Sequence, residues 1–183
     1  MYNLCSGYLF IVKKLLLLSA SCWLLVLQAC HQPTDKAYAL MLKGLYKGTV
    51  RVLQPRELEA ILAAGEEKPL LLDTRQPEEY RVSHLTGARF IDFEKFEVAQ
   101  LQEVPKDTPI ILYCAVGYRS ERVGEQLQEA GYTNVRHLYG GIFEWVNQSK
   151  PIYDDQGATD RVHAYSKAWG VWLQKGNKVY GKE

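Results

Sequence analysis

Short apolar runs recur through the middle of the chain, each closed by turn residues. Leu70-Leu71-Leu72-Asp73, Ile110-Ile111-Leu112-Tyr113 and Val135-Arg136-His137-Leu138 have the length and composition of buried strands. Residues 49–53 alternate as an edge strand, and 89–91 add a further short one. Helical signals fill the gaps. Pro55 suits the first turn of a helix ending near Ala64-Gly65, and Gln76-Pro77-Glu78-Glu79 places proline and acids where a helix begins. Asp92 can cap a helix reaching about Leu101. Val123, Leu127 and Ala130 share one face of a helix over 120–130 that stops at Gly131, and a last one follows Gly140-Gly141 to near Gln148. Strands alternating with helices predict a parallel sheet covered on both faces, a three-layer α/β/α sandwich with five strands.

The flanks read differently. Tyr38, Met41, Leu42 and Leu45 recur at helical spacing, which predicts a helix over 37–46 packed on the domain. After Pro151, Asp154-Asp155-Gln156-Gly157 is a turn-rich joint. Val162, Tyr165, Trp169 and Trp172-Leu173 then repeat at helical spacing until Gly176-Asn177, and Lys178-Val179-Tyr180 closes the run. The expectation is an amphipathic helix and a short strand packed on the domain. The alternative is a partner-binding face, or a wall over the pocket of Cys114, since Trp and Tyr are rich in contact surface. At the other end, Lys13-Lys14 precede an almost wholly apolar stretch over 15–27. It fits a secretory leader and falls short of the ~20 residues that span a bilayer. It closes on Leu27-Gln28-Ala29-Cys30, which resembles a bacterial lipobox, where cleavage leaves Cys30 as a lipidated N-terminus. The expected organisation is a leader over 1–29, a tether over 30–36, a domain over 37–151 with its core at 50–151, and an extension over 152–183. The resemblance implies a lipoprotein anchored by its N-terminal lipid in the bacterial envelope and facing the periplasm. An uncleaved anchor helix is the alternative.

Composition narrows the function. The 183 residues are 47% hydrophobic, enough for one globular domain with appendages. With 22 basic and 21 acidic residues the formal net charge is +1, so nothing suggests nucleic acid or an acidic partner. Loss of 1–29 removes Lys13 and Lys14, leaving 20 basic against 21 acidic. Of the four cysteines, Cys5 and Cys22 lie in the leader and Cys30 would carry lipid. Cys114 alone remains in the domain, with no intramolecular disulfide to make.

Cys114 ends the apolar run at 109–113, and the loop Ala115-Val116-Gly117-Tyr118 leads to Arg119 and Ser120 at a helix start. Ligands of open α/β sheets bind beyond the carboxyl ends of the strands, where Cys114 falls. Loop amides and the positive end of the helix favour an anion at the loop's centre, here the Cys114 thiolate. Such a setting should lower the thiol pKa and make the sulfur nucleophilic. Ala115 and Val116 are apolar, leaving Arg119 and Arg122 as the local cations. Tyr118 either stacks on the pocket or is a half-exposed loop aromatic. Asp73 and Arg75 are expected to tie the sheet end to neighbouring loops through an ion pair, and His84 to pack in a turn, rather than to catalyse. His137 and His163 have no ligand-spaced neighbours, so no metal site is expected, and Glu144 reads as a solvated helix face.

Four segments, in order, carry a family resemblance. Cys114-x-x-Gly117-x-Arg119-Ser120 looks like the active-site loop of single-domain rhodaneses. The run from Leu70 through Asp73-Thr74-Arg75 to Tyr80 resembles the family's strand, Asp-x-Arg and helix start. Ser83-His84-Leu85-Thr86-Gly87-Ala88 is similar to its Gly-His-Ile-x-Gly-Ala turn, with Ser83 where Gly is usual. Tyr139-Gly140-Gly141-Ile142-Phe143-Glu144-Trp145 resembles its closing Gly-Gly-x-x-x-Trp. One such match is weak, and four in register are strong. The resemblance implies a sulfurtransferase. Cys114 would take the outer sulfur of thiosulfate, a persulfide or a polysulfide and pass it from a Cys114 persulfide to a thiol or other nucleophile. Residues 115–120 would form the anion cradle, with Arg119 pairing the donor anion or bracing the loop. No cofactor is required, and a thiol-reducing protein is a candidate partner. The apolar loop favours a persulfide or thiol-bearing donor at least as much as thiosulfate. Related cysteine phosphatases use Cys-x5-Arg; the Cys-x4-Arg spacing here is one residue shorter and suits sulfur better than phosphate. Rhodanese folds also serve as binding or redox-sensing modules, so that function is the alternative.

Overall fold

The computed structural model describes residues 32–65 and 68–181. The expected leader over 1–29 and the expected lipidation site Cys30 lie outside the described residues. Two compact units divide the chain, 1–43 and 44–183. What is described of the first is helix α1, Gln32–Leu45, which runs into the second. It starts at Gln32, so the expected tether over 30–36 is largely helical. Lys43 suits the last turn of α1.

The second unit holds a five-stranded sheet in the order β1-β5-β4-β2-β3, every pair parallel. Its strands are β1 (Arg51–Leu53), β2 (Leu70–Asp73), β3 (Arg89–Phe90), β4 (Ile110–Tyr113) and β5 (Val135–Leu138). Strand β4 is central and buried along its whole length, which is why its sequence shows no polar alternation. Ile110 and Leu112 join Leu72, Val123, Leu127 and Val135 in one core cluster. Ile111 and Tyr113 point to the opposite face by the two-residue period of a strand. The helices are α2 (Pro55–Ala64), α3 (Pro77–Val82), α4 (Tyr118–Glu129) and α5 (Gly141–Asn147). The sandwich is thus the α/β architecture expected.

Register places the site. Leu72 pairs with Leu112 and Asp73 with Tyr113, so β2 and β4 end level. The segment after Asp73 therefore emerges beside the segment after Tyr113, and the Thr74 N–H donates to the Tyr113 carbonyl at 2.9 Å.

Two expectations fail. In place of one helix over 92–101 there are two 3-10 turns, Phe93–Lys95 and Val98–Leu101, with extended backbone at Phe96 and Glu97. Phe93, Phe96, Val98 and Leu101 all turn toward the core, and a continuous α-helix cannot bury that spacing on one stripe. Asp92 still caps, accepting the Glu94 N–H at 3.0 Å. The C-terminal extension is not an amphipathic helix. It is an antiparallel hairpin of β6 (Ile152–Asp154) and β7 (Gly157–Thr159), then β8 (Arg161–His163) paired parallel with β9 (Asn177–Val179) around a single turn, α6 (Lys167–Gly170). Tyr165 sits at φ +62°, which no right-handed helix allows. His163 fixes that turn, its Nδ1 accepting the Tyr165 N–H at 3.1 Å while Nε2 donates to the Gly181 carbonyl at 2.9 Å. The extension is joined to the sandwich where the backbones of His84 and Tyr153 exchange hydrogen bonds of 2.8 and 2.9 Å.

Candidate active site

Cys114 follows β4 directly and is 1% exposed. Its Sγ accepts the Gly117 N–H at 3.1 Å. What shapes the loop is the fate of four successive carbonyls. The Ile142 N–H donates to Cys114 O at 2.9 Å and the Phe143 N–H to Ala115 O at 3.1 Å, both from the first turn of α5. The Tyr46 hydroxyl donates to Val116 O at 2.7 Å. The Ser120 hydroxyl and the Glu121 N–H donate to Gly117 O at 3.0 and 3.1 Å. In a planar trans peptide the N–H points opposite to its C=O. Holding these carbonyls outward therefore turns the amides of residues 115–118 the other way, and the Gly117 amide is the one seen on sulfur.

Two glycines make the geometry available. Gly117 adopts φ +102°, and a Cβ there would overlap the Tyr46 hydroxyl and ring. Gly141 adopts φ +55°, and a Cβ there would overlap the Cys114 and Ala115 carbonyls that α5 holds. The closing Gly-Gly motif thus serves to bring a helix N-terminus against the loop.

Arg119 braces the loop. Its two terminal nitrogens donate to the two Glu79 oxygens at 2.7 and 2.9 Å. Glu79 is wholly buried and also accepts the Gln76 N–H at 3.0 Å, capping α3. Burial pushes the Glu79 carboxyl up, but the hydrogen bonds and charge of Arg119, with the charge of Arg75, outweigh it and hold it below its ordinary 4.5. The predicted Asp73–Arg75 ion pair is present, Nε donating to Asp73 Oδ1 at 2.9 Å and Nη2 to Oδ2 at 2.7 Å, with Nη2 also reaching the Ser83 carbonyl. Both side chains are fully buried. His84 stacks on Tyr80 with ring centroids 4.1 Å apart, and its Nδ1 donates to the Tyr80 carbonyl at 3.1 Å. None of these three residues lines the cavity over Cys114.

A cavity of about 380 Å³ opens over Cys114. Ala115, Val116, Tyr118 and Arg119 of the loop line it; Gly117 and Ser120 do not. Phe93, Tyr165 and Trp169 form apolar walls, with Gln76 and Glu94 also at its surface. Tyr165 and Trp169 realise the wall that was the alternative reading of the extension. Tyr118 is 43% exposed and lies under the Arg122 guanidinium, 5.3 Å from its ring centroid. Among the described residues no group of three His, Cys, Asp or Glu side chains is placed to hold a metal. Sequence reasoning missed Tyr46, Glu121 and the specific role of Glu79. Tyr46 carried no signal beyond closing a helical repeat. Glu121 is buried and accepts the backbone N–H groups of Lys47, Gly48 and Thr49 at 3.0, 2.7 and 3.2 Å.

A parallel sheet with a buried cysteine in an amide-lined loop at its carboxyl edge is a class with known members, and residues 54–148 match the Rhodanese-like domain family. The chain belongs to that family. Over 94 residues it is 32% identical to a sulfurtransferase of Allochromatium vinosum, covering 51% of this chain and 87% of that one. Over 100 residues it is 35% identical to the probable adenylyltransferase/sulfurtransferase MoeZ of Mycobacterium tuberculosis, covering 54% of this chain but only 25% of MoeZ. Among solved structures, the thiosulfate sulfurtransferase of Pseudomonas aeruginosa superposes with a TM-score of 0.52 at 27% identity, over 58% of this chain and 20% of that one. The family is one of sulfur transfer, and the matched region runs from α2 through α5, leaving out β1 and both flanks.

Proposed function

We propose that this chain is a sulfurtransferase that carries sulfane sulfur as a persulfide on Cys114. The supporting observation is the Gly117 N–H at 3.1 Å from Sγ, in a loop whose carbonyls are all held outward. Preorganised donors of this kind stabilise negative charge on sulfur before and after transfer. The Cys114 thiolate attacks the outer sulfur of a donor, the S–S bond of the donor breaks, and its electron pair leaves with sulfite or a thiolate. A thiol then takes the outer sulfur from Cys114–S–SH and the Cys114 thiolate returns. Arg119 supports sulfur over phosphate, because the bidentate edge that would grip phosphate oxygens is already on Glu79.

Incubation of the full chain with thiosulfate and with glutathione persulfide, followed by intact mass, tests this. One added sulfur, removed by excess thiol and absent in Cys114→Ser, is the expected result. No adduct from either donor on a reduced, accessible Cys114 would favour a binding or redox-sensing module instead. The leader and the Leu27–Cys30 sequence support placement as an envelope lipoprotein facing the periplasm. Cys30→Ser should abolish lipid labelling, and labelling that persists would remove that placement.

A further inference from the structure

The cavity over Cys114 is much larger than sulfur transfer from a small anion needs. A water's share of the liquid is about 30 Å³, whereas the space here is about 380 Å³, within the size range of pockets that enclose organic ligands. Its charge is also wrong for an anion. Arg119 is the one cation among the described residues that line it, and its terminal nitrogens are both engaged by Glu79. Glu94 adds a carboxylate, held by the Gln76 side-chain amide at 2.9 Å. A dianion such as thiosulfate therefore meets a neutralised cation and a nearby negative group.

The walls are built for something else. Val116 and Phe93 present apolar surface, and Tyr165 and Trp169 reach in from the extension beyond Pro151. Tyr165 holds a left-handed backbone conformation, φ +62°, that costs a tyrosine energy and keeps its ring beside the site, 5.5 Å from the Arg119 guanidinium. His163 fixes this turn by accepting the Tyr165 N–H, and half of the Tyr165 surface is left open to solvent at the cavity.

We propose that this cavity selects organic hydropersulfides, R–S–SH, whose R group is apolar or aromatic, with Tyr165 and Trp169 as the specificity wall. The inference rests on the sulfur-transfer reading. The Cys114 thiolate attacks the outer sulfur of R–S–SH; the new Cys114 S–S bond forms as the donor S–S bond breaks. The electron pair leaves on RS⁻, which takes a proton from water and departs as the thiol. The aromatic wall holds R while its sulfur faces Cys114.

Rate constants for persulfidation of Cys114 in the full chain, from benzyl hydropersulfide, cysteine hydropersulfide and thiosulfate, test it. Each is divided by the rate of the same donor with free cysteine in buffer, which removes intrinsic reactivity. The benzyl donor should lead thiosulfate by at least about tenfold. In Trp169→Ala that ratio should fall about tenfold, and in Trp169→Phe, which keeps a ring, it should stay within about twofold of the parent. A normalised rate for thiosulfate equal to or above that of the benzyl donor overturns the proposal while leaving sulfur transfer intact. So does a ratio unmoved in a folded Trp169→Ala. The wild-type donor comparison decides even where the alanine variant fails to fold. No persulfide from any of the three donors overturns the sulfur-transfer reading and this inference together.

Discussion

Arg119→Met separates bracing from donor recognition. The side chain is 13% exposed and its partner Glu79 is fully buried, so the substitution leaves a carboxylate in the interior without its cation. Glu79 Oε2 keeps the Gln76 N–H at 3.0 Å, while Oε1 loses its Arg119 donor. Removing one partner of a buried pair costs about 3–5 kcal/mol, and the slight exposure of Arg119 argues for the lower end, about 3 kcal/mol. Urea unfolding at neutral pH should show this as a lower midpoint at unchanged slope. The pH dependence gives a second, signed check. In the parent the Glu79 pKa is depressed, so its stabilisation is present above 4.5 and is lost as pH falls through the lower folded value. In the variant the push of burial is no longer outweighed by Arg119 and the folded pKa rises. The folded state then binds the proton more tightly than the unfolded chain, so the variant gains stability on acidification. The stability gap between parent and variant should be widest at neutral pH and close as pH falls. A loss below about 1 kcal/mol, or a gap that widens in acid, would refute the brace. If the loss is small and KM rises for thiosulfate alone, Arg119 binds the donor instead.

Gly117→Ala should destabilise by at least about 2 kcal/mol, from the left-handed backbone and the overlap with Tyr46, and should slow persulfide formation from every donor. Thermal unfolding and intact mass check the two effects. Tyr46→Phe removes the bond to Val116 O and leaves the Gly140 N–H without its acceptor, costing about 1–3 kcal/mol by urea unfolding and lowering all donor rates together. His137 is fully buried beside Tyr46, neither ring nitrogen has a partner among the described residues, and burial pushes its pKa down to about 4 against the charge of Glu121. The unfolded chain binds the proton first, so stability should fall by up to about 3 kcal/mol as pH drops from 6.5 to about 4. His137→Leu should flatten that slope in pH-dependent urea titrations, and an unchanged slope would refute the assignment.

The sheet was legible because its strands are buried on both faces. Residues 110–113 show no polar position, and a four-residue apolar run bounded by Pro109 and Cys114 has few other uses. Helix starts were legible where proline and acids cluster, as at Pro77-Glu78-Glu79. The reactive loop was read from the strand that ends at Cys114 and the helix that follows. The extension was misread because Val162, Tyr165 and Trp169 fall at helical spacing by coincidence. Val162 is buried in a strand, Tyr165 turns the chain at positive φ, and Trp169 lies in a one-turn helix capped by Ser166. Side-chain hydrogen bonds from His163 decide that geometry, and periodicity does not record them. Tyr46 was invisible for a related reason. Its role depends on meeting Val116, a contact between residues 70 positions apart.

The residues that shape the chemistry divide along the boundary of the family match. Cys114, Arg119, Glu79 and Gly141 lie inside 54–148, and they supply the proposed nucleophile, the ion pair beside it and the helix terminus that holds the loop. Tyr46 lies before that boundary, and Tyr165 and Trp169 lie after it. Tyr46 fixes the Val116 carbonyl and so the direction of the Gly117 amide, while the two later aromatics set the cavity wall. The loop around Cys114 is thus shaped from both sides of that boundary, whereas the Tyr165 and Trp169 wall lies wholly beyond it. The family match therefore reaches Cys114 and the Arg119–Glu79 pair. It stops short of Tyr165 and Trp169, so the family match carries no argument about the organic part of the proposed donor, and the donor comparison with Trp169→Ala has to supply it.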